Sequence, residues 1–140
     1  MIDSLYADAM LLADEARSYF DDGGRADRDV LEPMARVAYS CESLKVTTRL
    51  MHVIAWLLTQ KAIDAGEMTQ REALDPSRRL GPPPVTDAAA LAAMPDHAQQ
   101  LIVESIELFR RTARLDELQS EDAPGISPAL TMLHRLGNAF

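Results

Sequence analysis

The chain has 140 residues, 47% of them hydrophobic and 26% charged, and a formal net charge of −8. That length suits one domain with a real core, and so acidic a balance excludes a general nucleic-acid binder, which needs Lys and Arg to neutralise phosphates. The same charge opposes an anionic membrane surface, and the one cysteine excludes an intrachain disulfide or a cysteine-built zinc cluster.

Three Phe, three Tyr and one Trp leave Leu, Ala and Met to build the interior, a composition that favours helix packed on helix. No apolar run approaches the ~20 residues that span a bilayer. The N-terminus MIDSLYADAMLLADEA carries acids where a secretion signal carries Lys or Arg. A cytoplasmic protein is expected.

In chain order, the spacing of Leu5, Ala9, Leu12, Ala16, Tyr19 and Phe20 predicts a first helix from about Asp3 or Ser4 to Phe20. Asp21-Asp22-Gly23-Gly24 stops it. A charged, part-helical connection then leads to Glu32-Pro33, with Pro suited to the first position of the second helix. From Met34 to Ala65 there is neither Gly nor Pro, too long a run for a strand. One stripe of this central helix collects Val37, Cys41, Leu44, Thr48, Met51, Ala55 and Ala62. The opposite side collects Tyr39, Val46, Leu50, Val53 and Leu57. A surface helix needs one apolar stripe, so a helix with two is covered twice. The second stripe, Val46, Leu50, Val53 and Leu57, is the expected interface of a homodimer unless the third helix covers it. Cys41, on an apolar stripe, is expected to be a buried thiol.

Gly66 marks the end of the central helix, and Thr69 to Glu72 has the spacing of a capping box. Pro76 and the run Gly81-Pro82-Pro83-Pro84 form a stiff loop before the third helix. The Ala-rich stretch Thr86 to Met94 leads into that helix, which runs from Pro95-Asp96 to about Gln119 with Ala98, Leu101, Ile102, Ser105, Leu108, Phe109, Thr112 and Leu115 on one side. The expected organisation is all-α: a three-helix bundle with a long central helix over residues 1–119, then a mobile C-terminal tail over residues 120–140. Ser127-Pro128 opens a short amphipathic segment in that tail, with Leu130, Leu133 and Leu136 spaced for a groove on a partner.

Chemistry is sparse. His52, His97 and His134 lie in three separate elements, and HExxH, GxSxG, CxxC and a glycine-rich phosphate loop are absent. No cofactor, metal or catalytic residue is expected. The central helix nevertheless carries Arg36, Lys45, Arg49 and Lys61 against only Glu42 and Asp64, within an acidic protein. Arg49, among apolar neighbours, reads either as a structural arginine paired with an acid or as the rim of a docking groove. Lys45, Arg49 and His52 are therefore candidate partner-binding residues beside the tail leucines. The residues alone leave two function classes: a helical interaction module, or a bundle holding a small molecule or metal between its helices, with His52, Arg49 and Glu42 as its lining.

The run YSCESLKVTTRLMHVIAWLL at Tyr39 to Leu58, the AGEMT of Ala65 to Thr69 and the opening SLYADAMLLADEA at Ser4 to Ala16 resemble the RcdA-like proteins, regulators of CtrA degradation. The resemblance implies a small all-helical accessory protein, not an enzyme, that helps deliver regulatory substrates to the ClpXP protease. Its implied partners are the ClpX unfoldase complex, an accessory response-regulator-like factor and cell-cycle regulators.

Overall fold

The computed structural model describes residues 1–122. Helix α1 covers Ile2–Ser18 and passes into a π-helical turn, Tyr19–Gly23; α2 is Arg25–Asp29, α3 is Pro33–Asp64 and α4 is Gln70–Ala73. A 3₁₀ turn at Pro76–Arg78 precedes α5, Ala88–Ala92, and α6, Asp96–Asp122. Among the described residues there is no strand. The three long helices α1, α3 and α6 pack against one another, as the apolar periodicities require.

The helix ends follow from local chemistry. Pro33 occupies the first turn of α3, and Glu32 before it is extended, with φ −68° and ψ 158°. At the other end Gly66 takes φ 76°. That left-handed residue lets its N–H reach the Ile63 carbonyl at 3.0 Å and the Glu67 N–H reach Ala62 at 2.9 Å, closing off carbonyls that have no intrahelical partner. Thr69 and Glu72 form the reciprocal capping box that opens α4, and the Asp87 carboxylate accepts the Ala90 N–H at 2.7 Å to start α5. Helix α6 continues to Asp122, three residues past the expected Gln119 boundary. Ser120, Glu121 and Asp122 contain no helix breaker; the first is Pro124, two residues further on.

The core draws Leu5, Ala9, Leu12 and Ala16 from α1, Tyr39, Val46, Leu50, Val53, Trp56 and Leu57 from α3, and Ala98, Leu101, Ile102, Leu108 and Phe109 from α6. Where α1 turns toward α3, Tyr19, Phe20 and Tyr39 cluster with ring centroids 5.1 to 6.2 Å apart. Burial and a hydrogen bond to Asp27 both push the Tyr19 phenol well above its usual pKa. Gly24 is buried against these rings: a Cβ there would lie 2.6 Å from the Tyr39 hydroxyl and 2.8 Å from the Tyr19 ring. Gly24→Ala is therefore expected to cost about 1–3 kcal/mol by overpacking, measurable as a lower urea midpoint. An unchanged midpoint would show that the rings move aside.

Candidate functional site

The two apolar stripes of α3 have opposite fates. Val46, Leu50, Val53 and Leu57 are at most 2% exposed within the single chain. The expectation that they form a dimer interface is corrected: α1 and α6 already cover them. The larger rings decide the orientation, since Tyr39 and Trp56 lie on the same inward side and are buried as well. The other stripe faces out. Val37 is 59% exposed, Leu44 68%, Met51 64% and Leu58 48%, while Cys41, expected to be buried, is exposed. Met34, Val37, Cys41, Leu44, Thr48, Met51, Ala55, Leu58 and Ala62 recur at alternating steps of three and four, the spacing of a helix–helix seam. Isolated surface leucines need no explanation, but an aligned exposed stripe along one helix does.

Beside its C-terminal half opens a groove of about 530 Å³, lined by His52, Ala55, Trp56, Leu58 and Thr59 of α3 and by Ser77 to Gly81 of the loop. His52, a predicted partner-binding residue, is exposed on its wall. The Trp56 indole N–H donates to the buried Asp116 carboxylate at 3.0 Å, and Arg79 grips the same carboxylate with bonds of 3.0 and 2.9 Å. This triad fastens the loop to α3 and α6. Sequence reading missed it, although Asp116 falls four residues after Thr112 and eight after Leu108, in register with the apolar side of α6. An acid in that register signals a buried partner. Asp116→Ala is expected to cost about 2–3 kcal/mol, because it strands the indole N–H and the arginine together; a change within about 0.5 kcal/mol in urea unfolding would show that water replaces the carboxylate.

Arg49 is not on a docking rim. It is 1% exposed and forms a buried polar network. Nη1 donates to the Ser105 hydroxyl at 3.2 Å, and Nη2 to the Pro84 carbonyl at 3.1 Å and to Thr86 Oγ1 at 2.6 Å. Thr86 in turn donates to Glu42, itself 2% exposed. Lys45, half-buried, pairs with the other Glu42 oxygen at 2.8 Å. Lys45 and Arg49 thus serve the interior, and of the three partner-binding candidates on α3 only His52 is fully on the surface. Burial pushes the Arg49 pKa below its usual value, with the Glu42 charge opposing. Leu130, Leu133 and Leu136 lie outside the described residues.

Among the described residues no group of three or more His, Cys, Asp or Glu side chains could hold a metal ion, and no helix is long and apolar enough to cross a membrane. A family model described as "Protein of unknown function (DUF1465)" matches residues 1–140. Among solved structures the chain is similar to RcdA from Caulobacter crescentus CB15, at 30% identity, with 88% of this chain and 93% of that one covered and a TM-score of 0.72. No curated protein matches.

Proposed function

Because the chain belongs to the RcdA-like family, we propose that it is a cytoplasmic, non-enzymatic accessory protein that promotes regulated proteolysis of cell-cycle regulators by ClpXP. It acts through contacts with the ClpX complex, with an accessory response-regulator-like factor and with its substrates. The observation that carries an interaction role is the exposed seam of α3, Val37, Cys41, Leu44, Thr48, Met51, Ala55 and Leu58.

The seam's occupant in this reading is a second copy of the chain, paired antiparallel. One row of the seam is large, with Val37, Leu44, Met51 and Leu58; the other is small, with Cys41, Thr48, Ala55 and Ala62. A parallel pair would set large on large and small on small, crowding one layer and voiding the next. An antiparallel pair sets each row against the other: Val37 over Ala62, Leu44 over Ala55, Met51 over Thr48 and Leu58 over Cys41. Every layer then has similar volume, which close packing rewards.

The functional reading is tested by substrate degradation with reconstituted ClpXP and its accessory factors. The full-length protein is expected to accelerate it, and a chain truncated after Gln119 is expected to fold with unchanged thermal stability and to lose the stimulation. No stimulation by the full-length protein, with a matched substrate and every accessory factor present, would remove the adaptor role.

A further inference from the structure

Helices α1 and α6 each pack more closely on α3 than on one another, and a trough of about 430 Å³ lies between them. It shares no residue with the α3 seam. Leu12 and Leu108, both buried, form its floor. Leu11 on the α1 side and Val103 on the α6 side are 71% and 44% exposed. A lone surface leucine calls for no account, but these two line one depression from opposite helices. The rim is largely of one sign: Asp8 and Glu15 on α1 and Glu104 and Glu107 on α6, against a single arginine, Arg111. The contacts these acids already make leave them available. Glu104 accepts from the neutral Gln100 amide at 3.3 Å. Glu15 meets His97, and Glu107 meets Arg110, in exposed contacts of 3.2 Å that water and salt weaken. The acids are strung along the walls rather than gathered, with Asp8 and Glu15 about two turns apart on α1. Among the described residues no three of them converge on a point where a metal ion could sit. Charge spread in this way matches several cations carried along a chain.

We propose that the trough seats a basic amphipathic helix of another protein. Apolar side chains one turn apart on the guest cover Leu11 and Val103, and Lys or Arg on its flanks pair with the four carboxylates. A helix is the form that fits, because an extended guest would find no strand edge among the described residues and its backbone groups must then bond within the guest itself. A helix does so, and it packs its ridges against α1 and α6 as the fourth member of a bundle. The sign of the rim decides against the other occupants, since carboxylates repel nucleic acid, an anionic membrane and an acidic helix alike. The Glu15–His97 contact brings the end of α1 to the start of α6, which places Arg111 at the opposite end of the trough. The guest's cations therefore concentrate toward Glu15 and Glu104. The inference is independent of the adaptor reading, because it rests on α1 and α6 and not on the seam.

The test is a titration of the full-length ¹⁵N-labelled protein, following the backbone amides of Leu11, Val103 and Glu107 and, on the seam, those of Leu44 and Met51. The probe is an end-capped peptide of about fifteen Leu, Ala and Lys residues, with leucines on one helix face and lysines beside them. Two control peptides replace every Lys by Glu or every Leu by Ser. The basic amphipathic peptide is expected to give saturable shifts at Leu11, Val103 and Glu107, and each control to bind at least about tenfold more weakly. Leu11→Ser, a change at an exposed position that leaves the melting temperature in place, should weaken the probe about tenfold. Asp8→Asn with Glu104→Gln should weaken it about fivefold at low salt and less at high salt, where the charges are screened. Equal binding of either control peptide, an unaltered affinity in Leu11→Ser, shifts confined to Leu44 and Met51, or no saturable shift at Leu11 and Val103 would each overturn the proposal.

Discussion

An Arg49→Met variant is expected to lose about 3 kcal/mol of folding stability, among the larger effects of any single substitution in this chain. The side chains are close in length and the methionine would fill most of the space, so a cavity is not the main cost. The loss comes from what stays behind. The Pro84 carbonyl loses its partner in the side chain, Ser105 retains only its bond to the Ile102 carbonyl, and Glu42 loses the nearby buried positive charge while keeping Lys45 and Thr86. A buried charge left with half its compensation costs more than the pair was worth. Removing Glu42 at the same time should therefore restore part of the loss: Arg49→Met with Glu42→Gln is expected to be at least about 1 kcal/mol more stable than the sum of the single changes. Urea unfolding of the four proteins measures this directly. At this chain length the single variant should melt about 10 °C lower. A loss below about 1 kcal/mol, or strict additivity, would show that the network is solvated.

The second large effect concerns self-association. The paired variant Leu44→Glu, Met51→Glu is expected to abolish the dimer while leaving the bundle folded. Both side chains are largely exposed in the single chain, at 68% and 64%, so the fold gains little from them. In the antiparallel pair each would be buried against Ala55 or Thr48 of the partner copy. Burial of such a side chain is worth about 1.5–3 kcal/mol, and each substitution acts twice across a two-fold axis. The variant forfeits that burial and places carboxylates in a desolvated seam, a combined loss of more than about 6 kcal/mol. At about 1.4 kcal/mol per tenfold, that is at least four orders of magnitude in the dimer constant. In sedimentation at micromolar concentration the native chain should run as twice its 15.4 kDa mass and the variant as the monomer. A native chain that is monomeric throughout would remove the pairing, and a variant that stays dimeric would move it to another face.

The sequence carried the helices well and their facing less well. Gly66, the Pro33 start and the Thr69–Glu72 box were each legible because a single residue type satisfies a backbone need at that position. The two stripes of α3 were legible too, but not which of them turns inward. Periodicity records that a face is apolar and is silent on what covers it. The deciding feature was bulk: Tyr39 and Trp56 accompany the buried stripe, whereas the exposed one alternates large residues with Cys41, Thr48 and Ala55. Arg49 stands out in the sequence as a cation among apolar neighbours, which reads either as a structural arginine paired with an acid or as the rim of a docking groove. Its main partners are instead a carbonyl of the proline strap and two hydroxyls, contacts 35 to 56 residues away in sequence that no local pattern encodes. Asp116 illustrates the same limit, because its role depends on a loop arginine 37 positions earlier.

The measurement that tests the docking surface most directly is the rate at which a small thiol reagent modifies Cys41, followed across protein concentration. Cys41 is the one cysteine, exposed in the single chain and placed in the seam, where the pairing sets it beneath Leu58 of the other copy. The rate is expected to fall at least about tenfold as the protein passes from mostly monomeric to mostly dimeric. It should stay fast at every concentration in the Leu44→Glu, Met51→Glu variant. A chain in which the segment after Gln119 covers the seam would instead show slow modification at all concentrations, released by truncation. A rate that is fast and independent of concentration while the protein sediments as a dimer would contradict the account, for the seam of α3 would then be open when the two copies are together.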